Sequence, residues 1–192
     1  LLTSLASVAS ADHIPGHKKQ SVNYNCNSTV YLLDVIPVDK RNFDITVDIE
    51  AYDVPDSVNP GQKYTLKNAS ATVTVPGHVV LDLYNILGWT YISGNVNKFE
   101  VHSDNLPQTI DVAPQTIQRT QVPTNGDDFV FRVPANGGID VGEFTAGQSG
   151  VINISAGNIE AEFVNDNYND GFKLVANCQP IGDPTLTTIN IN

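Results

Sequence analysis

The 192-residue chain contains no methionine, only two cysteines and a single tryptophan. Without Met, Leu1 is not an initiator, and the chain is expected to be a processed or truncated product. Basic residues are scarce: 10 Lys and Arg stand against 21 Asp and Glu, a formal net charge of -11. Phosphate binding needs clustered Lys and Arg, so the composition excludes a nucleic-acid or anionic-lipid partner. No apolar run approaches the 18 or more residues of a membrane-spanning helix. Charged residues make up only 16% and hydrophobic ones 41%, which is too apolar for a disordered tail. Fourteen Gly and 11 Pro are too many for a helical bundle. At this length one domain with a core of its own is the default.

What is present begins with a stretch of small and apolar residues, 1–11, ending Ala9-Ser10-Ala11 before Asp12. It reads as the second half of a secretory signal peptide with an A-x-A cleavage site. The alternative is a retained amino-terminal arm whose Leu1, Leu2, Leu5 and Val8 pack on this or a neighbouring subunit. Residues 12–20, polar and broken by Pro15-Gly16, read as a flexible leader, and 21–192 as the folded domain.

Cys26 and Cys178 lie near the two ends of that domain, each in a period-two pattern. In an exported chain two cysteines point to one disulfide, which would pin the first and last main strands together. Two separate buried thiols are the alternative.

Between them the hydrophobic pattern alternates. Phe43-Asp-Ile45-Thr-Val47-Asp-Ile49-Glu-Ala51 puts five apolar residues on one face, and acids and Thr46 on the other. That is a strand with one buried and one wet side. Ala69–Val75 repeats the pattern. Pro76 then opens a segment in which Val79, Val80, Leu83, Ile86 and Leu87 recur at helical spacing, closed by Gly88. This predicts one short helix over about 77–87, capping one end of a sheet.

Further short strands are expected at 89–92, 96–102, 108–113, 128–133, 150–155, 159–164, 172–178 and 185–191. They are separated by Ser93-Gly94, Asn125-Gly126, Asn136-Gly-Gly138 and Asn169-Asp-Gly171. Together these predict an all-β domain, an antiparallel β-sandwich of about 8–10 short strands.

The order of these pieces resembles an uncharacterised family of secreted bacterial, mainly actinobacterial, two-cysteine β-sandwich domains of unknown function. The resemblance runs over most of residues 20–190. It rests on Tyr24-x-Cys26, Ala71-Thr-Val-Thr-Val-Pro76 leading into a helix, Gly88, Gly94, and Val122-Pro123 with Gly126. Phe144-Thr-Ala-Gly147-x-x-Gly150 and Asp170-Gly171 ahead of Cys178 complete it. The resemblance implies a sandwich behind a signal peptide, at or outside the cell surface, and brings no catalytic or binding residues. The chain departs from that family in being richer in Asn and Asp and poorer in Ala.

No catalytic constellation assembles. Gly147-Gln-Ser149-Gly150 is one residue too short for a nucleophile elbow. Pro15 and Gly16 break the helix that would align His13 with His17, and neither His78 nor His102 supplies the converging ligands zinc needs. Asp44, Asp48 and Glu50 share one strand face, and paired acids serve glycoside hydrolysis, but such a row is more simply the wet side of a strand.

Asp166-Asn-Tyr168-Asn-Asp170-Gly171 hints at a calcium loop, with Asp166 and Asp170 as candidate ligands. An EF-hand would want an oxygen ligand where Tyr168 sits and Glu where Asn177 sits. Trp89 and Tyr91 share a strand face and Tyr84 ends the helix nearby, so these aromatics are the candidates for stacking on a sugar ring, although a lone Trp in a domain of this size is more often a core residue with its N–H satisfied. Asn27, Asn68 and Asn153 open glycosylation sequons, no more than composition alone provides.

The expectation is therefore a non-enzymatic, secreted or cell-surface protein without a required cofactor. It would be a structural component of a surface, matrix or fibre, its partner being itself or another surface protein. One version has residues 1–22 add a strand to a neighbour's sheet. A carbohydrate-binding or adhesive module using Trp89, Tyr91 and Tyr84 is the alternative, with a polysaccharide as partner. A hydrolase using the acidic face of 43–51 is a third.

Overall fold

The computed structural model describes residues 16–192. The segment expected to be a signal-peptide remnant or arm, with most of the leader, lies outside the described residues. The chain forms β1 (Lys18–Leu32), β2 (Ile36–Tyr52), β3 (Ser57–Val58), β4 (Lys63–Val75) and α1 (Gly77–Leu87). There follow β5 (Tyr91–Ser103), β6 (Gln108–Asp111), β7 (Gln115–Gln121), β8 (Phe129–Val133) and β9 (Ile139–Thr145). β10 (Gly150–Asn165), β11 (Phe172–Ile181) and β12 (Thr185–Ile191) complete it. The fold is all-β and sandwich-like, with one short helix where the Pro76 and Gly88 signals place it. Gly88 adopts the left-handed conformation (φ 67°) and donates its N–H to the Tyr84 carbonyl, which ends the helix.

The strands correct the expected pattern in number and length. There are twelve among the described residues, and β1, β2, β4, β5 and β10 each run 13 residues or more. Two expected breaks lie inside strands. Ser93-Gly94 is a step in the β5–β10 ladder, and Gly157-Asn158 is an irregularity within β10. Gly94 is required by close approach: a Cβ there would lie 2.0 Å from the Glu162 carbonyl oxygen. Glycine here lets two backbones meet, where the sequence suggested a turn.

The leader is corrected as well. Lys18, Lys19 and Gln20 pair with Ala51, Glu50 and Ile49 as the start of β1. Backbone ladder bonds do not need apolar side chains, so a polar run can hold an edge of strand whose side chains face water. The same pairing occupies residues 18–22 of the proposed strand-donating arm within their own sheet.

β1 shows why these residues form strands. Val22, Tyr24, Cys26, Ser28 and Val30 are buried, while Asn23, Asn25 and Asn27 point outward. Outside, they build a polar ladder onto β2. Asn25 donates to Asn42 (2.8 Å) and Asp44 (2.7 Å), Asn42 donates to Asn27 (2.9 Å), and Thr46 donates to Asn23 (3.1 Å). Cross-strand pairs of this kind stabilise a sheet by some tenths of a kcal/mol each, about 0.2–1.

Two apolar cores lie along the long strands. The first is built around Tyr24, Val47, Trp89, Ile117 and Leu174, the second around Leu66, Phe144, Ile152, Ile154 and Ile189. β4, β5 and β10 contribute to both. Around the first core the ladders run β8-β4-β2-β1-β11-β10-β5-β7. β7 and β8, at the two ends of this series, lie against one another without a hydrogen-bonded ladder. The curled sheet thus wraps eight strand segments around one interior.

Candidate functional site

That interior is not filled. A cavity of about 130 Å³ lies inside the first core, and each of the eight wrapped strands contributes to its wall. Phe43 on β2, Val75 on β4, Phe131 on β8, Ile117 on β7, Phe163 on β10 and Leu174 on β11 face into it. These positions follow from period-two alternation: Asp44, Thr74, Val130 and Glu162, their neighbours in sequence, point the other way. Leu83, Tyr84 and Leu87 of α1 line the remaining side, where the cavity is partly open to solvent. Protein interiors ordinarily leave few voids larger than a water molecule. At about 24 cal/mol per Å³, a void of this size costs about 3 kcal/mol of packing.

α1 is seated at its start. The Gly77 N–H donates to Asp128 Oδ1 (2.8 Å), and a Cβ on Gly77 would lie 1.8 Å from the Gly126 carbonyl oxygen. A glycine at the first helical position is therefore what lets the helix reach the 125–128 turn. Asp82 lies 3.8 Å from Arg41 on β2, which adds an exposed ion pair.

Cys26 and Cys178 form the disulfide, on the wall of the same cavity. They are directly opposite in the antiparallel β1–β11 pair, with Cα atoms 4.0 Å apart. The bridge joins β1 to the penultimate strand, not the last. It closes a loop with a sequence separation of 152, for which loop-closure entropy gives about 5 kcal/mol.

The three candidate sugar-stacking aromatics do not form one surface. Trp89 is 5% exposed, within the first core. Its indole N–H donates to Asp170 (2.7 Å). Tyr84 lines the cavity, and Tyr91 is half-buried beneath the Arg119 guanidinium, 4.1 Å from its ring centre. Arg119 in turn donates to Asp166. Sequence reasoning missed this arginine, because only the register of β5 with β7 brings it over Tyr91.

The two candidate calcium ligands are engaged by the protein's own donors. Asp170 accepts from Trp89, from Asn165 (3.0 Å) and from the Phe172 N–H (2.9 Å). Burial alone would raise its pKa; the Phe172, Asn165 and Trp89 hydrogen bonds outweigh that and hold the carboxyl below the usual range. Asp166 accepts from Arg119 and from Ser93 (2.8 Å), and the Arg119 hydrogen bond is the chief reason its carboxyl is held low. Among the described residues no group of three or more His, Cys, Asp or Glu converges.

The acidic face of β2 is cross-linked to its neighbours. Asp44 accepts from Asn25, Asp48 from Ser21, and Glu50 meets His17 (3.2 Å), whose ring stacks on Tyr52 at 4.4 Å. All three acids lie on the outer side of the sheet, opposite the cavity. His13 lies outside the described residues.

One end of the molecule carries an apolar prominence. In the β1–β2 hairpin tip Leu33 is 66% exposed, Val35 74%, Ile36 53% and Val38 48%. Asp34 at the tip binds Lys173 (2.8 Å), and Asp39 binds Arg41 (3.0 Å). No helix among the described residues is long and apolar enough to cross a membrane.

No curated protein matches the chain. Among solved structures, the crystal structure of a Corynebacterium diphtheriae protein described as membrane anchored is similar at 16% identity and a TM-score of 0.44. The match covers 91% of this chain and 37% of that one, so the chain spans little more than a third of that neighbour's length. Residues 23–183 match the model of the family of unknown function DUF6801, and to that family the chain belongs.

Proposed function

We propose that the protein is a non-enzymatic, extracellular structural component of a cell surface, matrix or fibre, which associates with copies of itself through the β1–β2 hairpin tip. The observation that carries this reading is the exposure of Leu33, Val35, Ile36 and Val38 at the end of a long, disulfide-braced hairpin. A contiguous apolar patch held out in water marks an interaction surface. Both signs of charge rim the tip, Asp34 and Asp39 beside Lys173, Lys40 and Arg41. That makes it self-complementary, as a two-fold contact between identical subunits requires. The disulfide supports an oxidising compartment outside the cytoplasm.

The test is molar mass in solution, by size exclusion with light scattering, over a range of concentrations. Wild type is expected to exceed the 20.7 kDa of the monomer, and a Val35→Asp, Ile36→Asp double variant to run as monomer with unchanged thermal stability. A wild type that stays monomeric at every concentration overturns this reading.

A further inference from the structure

We propose that the cavity behind α1 is a binding site for an uncharged hydrocarbon group of about benzene size. The group is taken either as a small molecule or as the end of an acyl chain whose polar head stays outside. This inference goes beyond the proposed function and does not depend on self-association.

The chemistry of the wall selects the ligand. No charged side chain lines the cavity, and its only side-chain polar atoms outside the disulfide are the Tyr84 hydroxyl and the Trp89 N–H. The second is already committed to Asp170. A buried water needs two to four polar partners, so such a space stays dry. An ion would find nothing to replace its hydration shell.

The size is also selective. At about 130 Å³ the cavity is close to the roughly 150 Å³ of a dry apolar cavity known to take up benzene or xenon. Sheets that close with eight strands have interiors of the width that holds one small ligand. Phe43, Val75, Phe131 and Phe163 keep uncovered surface although they face inward. Those atoms lack the dispersion contacts that a hydrocarbon would supply. Leu83, Tyr84 and Leu87 of α1 are half-buried against the same space, which makes the helix its cover.

The experiment titrates the full chain with benzene and, separately, with octanoate, reading the emission of Trp89, the single tryptophan, and the thermal midpoint. A saturable change with at least one probe is expected. At ten times its Kd the probe should lower the unfolding equilibrium constant about tenfold. Benzene alone would identify a small-ring site, and octanoate an acyl-chain site. Ala161→Leu, on the cavity wall, should fill the space, leave the midpoint no lower than wild type and abolish both responses. If that variant fails to fold, Ala176→Val, on the β11 wall, replaces it. No saturable response of wild type to either probe overturns the proposal, as does a wild-type response in a folded, cavity-filled variant.

Discussion

Trp89 and Asp170, 81 residues apart in sequence, are joined by an indole N–H to carboxylate hydrogen bond of 2.7 Å. It fastens the segment that follows α1 to the β10–β11 turn, and so holds one flank of the cavity. The same carboxylate accepts from Asn165 and from the Phe172 backbone, which makes Asp170 the hub of that end of the first core.

Asp170→Ala leaves the buried Trp89 N–H without a partner, and the expected cost is about 1–3 kcal/mol. Asp170→Asn, which keeps an acceptor oxygen, should cost less. Urea unfolding followed by tryptophan emission measures both. Equal stability of Asp170→Ala and wild type would show that the bond contributes nothing.

The depressed carboxyls of Asp170 and Asp166 set a direction for pH. A carboxyl whose pKa is lower in the folded state stabilises the fold fully above its unfolded value of about 3.9, and the contribution is lost as pH falls through the folded value. Trp89 emission should therefore be flat from pH 7 to about 5 and change only below about 4. In Asp170→Asn the part of that acid transition owed to residue 170 should disappear. A transition centred near pH 6 would contradict the assignment.

The disulfide is the third handle. Replacing Cys26 and Cys178 together by Ser should cost about 2–5 kcal/mol, the upper figure being the loop-closure entropy of a bridge with a separation of 152. The cysteines also lie on the cavity wall, so the double variant should shift Trp89 emission in the native state. A urea midpoint equal to that of wild type would refute the cost.

Much of the fold was legible in the residues. Alternation in 22–26 and 43–51 gave β1 and β2 their buried faces, and Pro76 with Gly88 bounded the helix. Two cysteines in period-two runs announced a bridge. The long strands were not legible, because Ser93-Gly94 reads as a turn from sequence alone. The role of Gly94 in close backbone approach exists only once β5 lies beside β10. β7, with only Ile117 buried among polar neighbours, carried too little pattern to be seen. The cavity was invisible for another reason. A valine or phenylalanine facing inward looks the same in sequence whether it meets another side chain or empty space. Trp89 became a candidate sugar platform because it shares a strand face with Tyr91; that its N–H is satisfied by Asp170, 81 residues on, is visible only in the fold.

β10 has consequences for how the molecule comes apart. One half of this strand bonds to β12 and the other to β11, while β5 pairs along the β11 half and reaches into the β12 half at Ile154 and Ser155. It therefore crosses from one apolar core to the other as one strand, bulged at Gly157-Asn158. Neither core can melt alone without stripping neighbours from a strand the other still needs. Heat or denaturant should meet a single cooperative unit, and the laddered amides of β10 on either side of Gly157-Asn158 should exchange with solvent only when the whole chain opens.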